Sequence, residues 1–240
     1  MRKFMMLLWL ISLFFATGLY AGAVEAYTVD GTISETAYNW QRPDLTWTDS
    51  ADDNSSGKIA LPFPVTLGGK TFDAFDMDSN GYVELLSWTE TPTGYGYGNV
   101  DDLIADNSSA TYLLAAYDDL SSYDYGAYGY DDSLSDRVIF DYLTETYEDE
   151  GCFYLNNFEM ILYQNGTIDW NFRFADYDSY DNDLFTGLYL GNTGTLLEGT
   201  DNEIPELTSY RYSPVPEPSS LLLLSGGLAG LFAVVRKRGR

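Results

Sequence analysis

Between residues 27 and 215, apolar and polar positions alternate in short runs, each closed by Gly, Asn, Asp or Pro. Period-two alternation rich in β-branched and aromatic side chains marks half-buried strands. It predicts strands over 59–67, 70–75, 82–88, 111–116, 137–143, 157–163, 167–174 and 185–190. No window in this region carries a convincing 3.6-residue stripe, although 101–105 could make one helical turn. The expected fold class is all-β, an antiparallel β-sandwich.

The hairpin over 157–174 can be given a register. A two-residue Asn165-Gly166 loop would put Glu159 opposite Phe172 on the apolar face. A three-residue loop, Gln164-Asn165-Gly166 with Gly166 left-handed, pairs Leu162 with Ile168, Met160 with Trp170 and Phe158 with Phe172. All six apolar side chains then share one face, because a one-residue slip exchanges the faces. The three-residue loop is the one expected. The other face, with Glu159, Ile161, Tyr163, Asp169, Asn171 and Arg173, reads as partly solvated.

The chain ends depart from this alternation. Arg2 and Lys3 precede an apolar stretch over 4–15 and the small residues Ala21, Gly22 and Ala23. This is the layout of a secretory signal peptide, with cleavage expected after Ala26, or alternatively after Ala23. At the other end, Pro216-Glu217-Pro218 is followed by 17 uncharged residues, 219–235, and then by Arg236-Lys237-Arg238-Gly239-Arg240. Such a stretch makes about 25 Å of helix, the lower limit for a bilayer span, and the basic terminus would stay cytoplasmic. The division expected is a signal peptide at 1–26, an N-terminal segment with an acidic loop at 27–58 and a sandwich at 59–198. A linker at 199–214, with a short strand at 207–212, would lead to a sorting segment at 215–240 containing the membrane helix.

Charge narrows the function. The 27–215 segment holds six basic and 35 acidic residues, a net of −29. Such a surface repels nucleic acid, which is excluded as a partner, and favours hard cations such as Ca²⁺. The 21 Tyr, 13 Phe and 5 Trp of the chain argue for a packed core rather than acidic disorder. Cys152 is the single cysteine and histidine is absent. No intrachain disulfide, no Ser-His or Cys-His catalytic pair and no imidazole-held zinc can therefore form.

Three sets of residues could carry chemistry. Asp76-Met77-Asp78-Ser79-Asn80-Gly81 reproduces the first half of an EF-hand loop, but the twelfth position falls on Ser87 instead of a glutamate. A looser Ca²⁺ site would use Asp76, Asp78, Asn80 and the Tyr82 carbonyl. The competing and preferred reading is a strand-joining turn with its aspartates solvated at the lip. Tyr95 and Tyr97, and Tyr123, Tyr125, Tyr128 and Tyr130, lie in Tyr-Gly-Asp-rich stretches. Such tyrosines could stack on sugar faces, or simply cover the ends of a sandwich. Nothing singles out a carboxylate pair for glycoside hydrolysis, so no catalytic residue is assigned. The 48–57 segment reads as a mobile acidic loop.

Two resemblances add to this reading. The order Pro216-Glu217-Pro218, apolar stretch, Arg236-Lys237-Arg238 resembles the PEP-CTERM sorting signal, which exosortases recognise in Gram-negative bacteria that export polysaccharide. Leu61-Pro62-Phe63-Pro64-Val65-Thr66-Leu67-Gly68-Gly69, Asp78-Ser79-Asn80-Gly81-Tyr82-Val83, Leu113 to Leu120, Phe158 to Ile168 and Phe185-Thr186-Gly187-Leu188 together resemble nidogen-like (NIDO-type) extracellular domains over about 59–195. They imply an exported β-sandwich handled by signal peptidase and an exosortase-type membrane protease. The precursor would be anchored in the inner membrane, and the product would reach the envelope, outer surface or medium. There it would associate with exopolysaccharide or biofilm matrix without catalysis. The alternatives are a Ca²⁺-dependent adhesion module and, behind it, a polysaccharide hydrolase. The cysteine-rich companions of the animal domains are missing, so a basement-membrane role does not carry over.

Overall fold

A computed structural model describes residues 31–41, 46–47, 53–93, 103, 110–117, 120–121, 127–146, 155–175, 185–191, 193–198 and 206–214. The strands are β1 (Gly31–Thr36), β2 (Thr46–Trp47), β3 (Ile59–Leu67), β4 (Lys70–Asp78), β5 (Tyr82–Leu86), β6 (Thr111–Tyr117) and β7 (Leu120–Ser121). They continue with β8 (Ala127–Asp131), β9 (Arg137–Thr146), β10 (Leu155–Tyr163), β11 (Ile168–Ala175), β12 (Phe185–Leu190), β13 (Thr193–Glu198) and β14 (Thr208–Pro214). One sheet runs β1-β14-β11-β10-β9-β8-β2, with β7 also on β9, and the other runs β13-β12-β6-β5-β4-β3. The strand pairings are antiparallel. The antiparallel β-sandwich expected from the alternation is the fold.

The inner faces supply one core. Val138, Phe140, Tyr142, Phe158, Met160, Leu162, Ile168, Trp170 and Phe172 of the first sheet meet Phe63, Val65, Phe72, Phe75, Met77, Val83, Leu85, Leu113 and Leu188 of the second. Phe75 contacts Phe140 edge-on across the interface, with ring centroids 5.0 Å apart. Apart from the change of phase between Phe72 and Phe75 in β4, these are the alternate residues of their strands, so the period-two pattern selects the buried face. Edge strand β3 shows the same logic. Leu61, Phe63 and Val65 point inward, while Pro62 and Pro64 between them are exposed. The β3–β4 register shifts between Ala60 and Val65. Two residues without an N–H make this edge a poor template for another chain.

The β10–β11 register is the expected one: Leu162 faces Ile168, Met160 faces Trp170 and Phe158 faces Phe172. Gly166 has φ +83°, and its N–H reaches the Tyr163 carbonyl at 2.9 Å.

Several expectations need correction. β1 lies within the expected N-terminal segment, and β14 takes up the short strand expected at 207–212 but is longer and part of the sandwich. β14 sits between β1 and β11 in the interior of the first sheet. β8 lies inside the Tyr-Gly-Asp-rich stretch, where no strand was expected, because its Ala-Tyr-Gly-Tyr-Asp alternation hides among similar loop residues. The outer face of β10–β11 is solvated only toward its ends, with Arg173 exposed and Tyr163 half-buried, whereas Glu159, Ile161, Asp169 and Asn171 are buried. The signal peptide, the membrane helix at 219–235 and most of the helical turn at 101–105 lie outside the described residues. Among the described residues no helix is long and apolar enough to cross a membrane.

Candidate functional site

The 76–80 turn is built by strand ends. Asp78 pairs with Tyr82, leaving Ser79-Asn80-Gly81 as a three-residue loop with Gly81 at φ +79°. The Asn80 N–H donates to Asp78 Oδ1 (3.0 Å), its Nδ2 donates to Asp53 Oδ1 (3.1 Å), and its Oδ1 accepts from Leu120 N (2.9 Å). Residues 53–56 are stitched onto this corner. Ser56 N bonds the Met77 carbonyl (2.7 Å), Ser79 N bonds the Asn54 carbonyl (2.9 Å), and Ser55 Oγ bonds both Asp76 carboxylate oxygens (2.7 and 2.8 Å). That part of the 48–57 segment is thus ordered against the fold, contrary to the mobile loop expected.

Nor are the aspartates solvated at a lip. Asp76 is 5% exposed and Asp78 1%. Burial pushes Asp78 up to about 7, against the Asn80 N–H that favours its charged form. Burial also raises Asp76, with Ser55 and Ser56 opposing. Asp78 Oδ2 is buried without a hydrogen-bond partner. The Tyr82 carbonyl accepts from the Tyr142 hydroxyl at 2.9 Å. The Asn80 amide oxygen and the Tyr82 carbonyl, two of the four expected Ca²⁺ ligands, thus serve the fold. Among the described residues no three acidic or thiol groups converge on a point that could hold a metal.

The structure separates the proposed tyrosines. Tyr128 is a core residue, stacked on Tyr142 with centroids 5.9 Å apart and donating its hydroxyl to the Asn54 carbonyl. It is therefore not a surface platform for a sugar. Tyr130 is half-buried, edge-on to Phe75. Tyr95, Tyr97, Tyr123 and Tyr125 lie outside the described residues, as do Pro216, Glu217, Pro218, Arg236, Lys237 and Arg238.

A polar row that sequence reading missed crosses the outer face of the first sheet. Asp141 (β9), Glu159 (β10), Asn171 (β11) and Ser209 (β14) stand side by side in register. The backbone of residues 39–41 lies over them. Gln41 N donates to Glu159 Oε1 (2.8 Å), and Asn171 Nδ2 donates to the same oxygen (2.6 Å) and to the Asn39 carbonyl (3.2 Å). Ser209 Oγ donates to Asn171 Oδ1. Burial pushes Glu159 up to about 8 and Asp141 to about 7, and the negative charge of Asp141 adds to the shift of Glu159. In the neighbouring row, Arg211 grips Asp169 through Nε and Nη2 (2.5 and 2.6 Å). The only signal in the sequence was the alternation itself, which does not say what will cover a face.

On the outer face of the second sheet, Tyr82, Tyr112, Tyr117 and Tyr189 pack on one another with Leu103 and Leu114. Glu84 accepts from Thr93 N (3.0 Å) and Oγ1 (2.9 Å). A recess of about 150 Å³ beside Glu84, lined also by Lys70, Glu90 and Thr93, is smaller than the roughly 300–1,000 Å³ of ordinary ligand sites.

Fold and site together define a two-sheet β-sandwich module in which buried carboxyls are tied into the framework. Two family models match the chain: NIDO related over residues 27–133, and the PEP-CTERM protein-sorting motif over 214–238. Both resemblances expected from the sequence are thereby borne out, the first starting earlier and ending earlier than 59–195. The sorting motif makes this an exported protein of the cell envelope, processed by an exosortase. No curated protein and no solved structure matches.

Proposed function

We propose that this is a non-catalytic extracellular or envelope module that associates with exopolysaccharide or biofilm matrix in a Gram-negative bacterium. Its precursor is held in the inner membrane by residues 219–235 until an exosortase acts near Pro216-Glu217-Pro218. The observation that carries this reading is the sorting motif at 214–238, beginning where the last strand of the sandwich ends. A non-catalytic role is supported by Glu159, which lies beneath the 39–41 backbone, and Asp76, held by Ser55 and Ser56, both raised chiefly by burial. Co-sedimentation of residues 27–215 with the host's exopolysaccharide tests the matrix role. Saturable binding is expected, and none with or without Ca²⁺ overturns it. Replacing Pro216-Glu217-Pro218 by alanines is expected to leave uncleaved chain in the inner membrane; unchanged release would sink the sorting mechanism.

The buried carboxyls of Asp76 and Asp78, with only the Asn80 N–H and the Tyr82 hydroxyl opposing the rise of Asp78, favour Ca²⁺-dependent adhesion as the second reading. It requires Ca²⁺, and not equimolar Mg²⁺, to raise the melting temperature, and that rise to vanish in Asp78→Asn.

A further inference from the structure

β14 is an interior strand, held by β1 on one side and β11 on the other, and it ends at Pro214. The sorting motif starts at that same residue, and only Val215 separates Pro214 from Pro216-Glu217-Pro218. Six residues, 215–220, join the sheet to the apolar run that begins at Leu221. Even fully extended they reach about 20 Å. A conventional stalk between domain and anchor is therefore missing from the sequence.

The surroundings of Pro214 identify the pole from which this tether leaves. Pro214 is the register partner of Gly31, so both ends of the described chain emerge side by side. The β10–β11 turn is at the same place: a Cβ on Gly166 would lie 3.5 Å from Pro214 Cγ and 3.0 Å from the Thr66 carbonyl oxygen of β3. Gln164 N bonds the Asp136 carbonyl at 2.9 Å, which adds the turn before β9. The pole thus draws on both sheets. Leu155, at the far end of the nine-residue β10, is 42% exposed and about 30 Å away.

We infer that the pole formed by Gly31, Pro214 and the turns around Thr66, Asp136 and Asn165 is the surface on which the folded precursor rests against the lipid bilayer. The inference rests on the membrane-held precursor proposed above and adds an orientation to it. The tether is shorter than the sandwich is tall, so this pole cannot turn away from the bilayer. Ser213 and Pro214 are register partners of Thr32 and Gly31, so the residues just upstream of the motif belong to the folded sheet. The motif is then confined between fold and bilayer, where a membrane-embedded protease can reach it and a soluble one cannot.

The test uses the full chain in a Cys152→Ser background, reconstituted into vesicles whose lipid headgroups carry a paramagnetic quencher. A fluorophore is placed on Asn165→Cys or on Leu155→Cys. Quenching at position 165 is expected to exceed that at 155 by about twofold or more, given the strand length between them. Inserting a 12-residue Gly/Ser spacer after Pro214 is expected to narrow that difference and to make the motif sensitive to a soluble protease. Equal quenching at the two positions, or stronger quenching at 155, in chain that resists alkaline extraction overturns the orientation alone. Chain that alkaline carbonate removes from the vesicles overturns the membrane-held precursor and the orientation with it.

Discussion

Gly69 and Gly81 hold nearly the same left-handed backbone, φ +80° and +79°, in two turns of the same sheet, and their surroundings differ. Nothing lies within 4 Å of where a Cβ on Gly69 would stand. A Cβ on Gly81 would meet the Ala115 and Ala116 carbonyl oxygens at 2.8 and 3.0 Å. Gly69→Ala therefore carries only the conformational penalty, roughly 1 kcal/mol. Gly81→Ala adds a backbone clash at the point where Ala115 N bonds the Gly81 carbonyl (3.0 Å) and Asn80 accepts from Leu120. Its cost is expected to be about 3 kcal/mol or more, since a neighbouring strand must move. Urea melts of the two variants check this, and equal midpoints would show that the corner yields freely.

At the scale of elements, the hairpins were the legible part. Leu162, Met160, Phe158 and their partners fix the β10–β11 register locally, because the competing two-residue loop would put Glu159 opposite Phe172 among apolar side chains. β3, with its Pro-spaced apolar residues, and β12 were legible for the same reason, since each carries its own alternation. What sequence could not supply was long-range cover. Gln41 reaches Glu159 across 118 residues and Asn39 reaches Asn171 across 132, so a face that looks solvated is closed from elsewhere in the chain. β14 illustrates the same point. Its residues read as a short strand in a linker before a sorting signal, and only pairing with β1 and β11 reveals a central strand. A chain stopped at Glu198 would keep every strand expected within 59–198 yet lose this one. It is expected not to fold, with β1 stranded and the β11 edge open, whereas residues 27–215 melt cooperatively. Circular dichroism melts of both settle the matter, and a cooperative transition in the shorter chain would make β14 dispensable.

For the whole molecule, the unusual property is a set of buried carboxyls inside a chain that is already acidic. Asp78 and Asp141 are pushed up to about 7 and Glu159 to about 8, in each case chiefly by burial. Their folded values lie above the unfolded values of about 4, so between pH 4 and pH 8 the folded state binds more protons than the unfolded one. The stability they contribute is full below the unfolded value and is lost as pH rises through the folded value. The melting temperature is thus expected to fall by roughly 10 °C or more between pH 5 and pH 8.5, most steeply below about pH 6.5 and levelling off above about pH 8. Surface repulsion in a segment of net charge −29 could produce a loss of the same sign, but the two causes separate by salt. Repulsion among exposed charges is screened over about 4 Å at 0.5 M NaCl, whereas buried groups are screened far less. The fall is expected to survive high salt. In Glu159→Gln, which keeps the hydrogen-bonding oxygen and cannot ionise, it is expected to shrink by about a third. A fall that salt abolishes and Glu159→Gln leaves unchanged would place the sensitivity on the surface instead of under the 39–41 backbone.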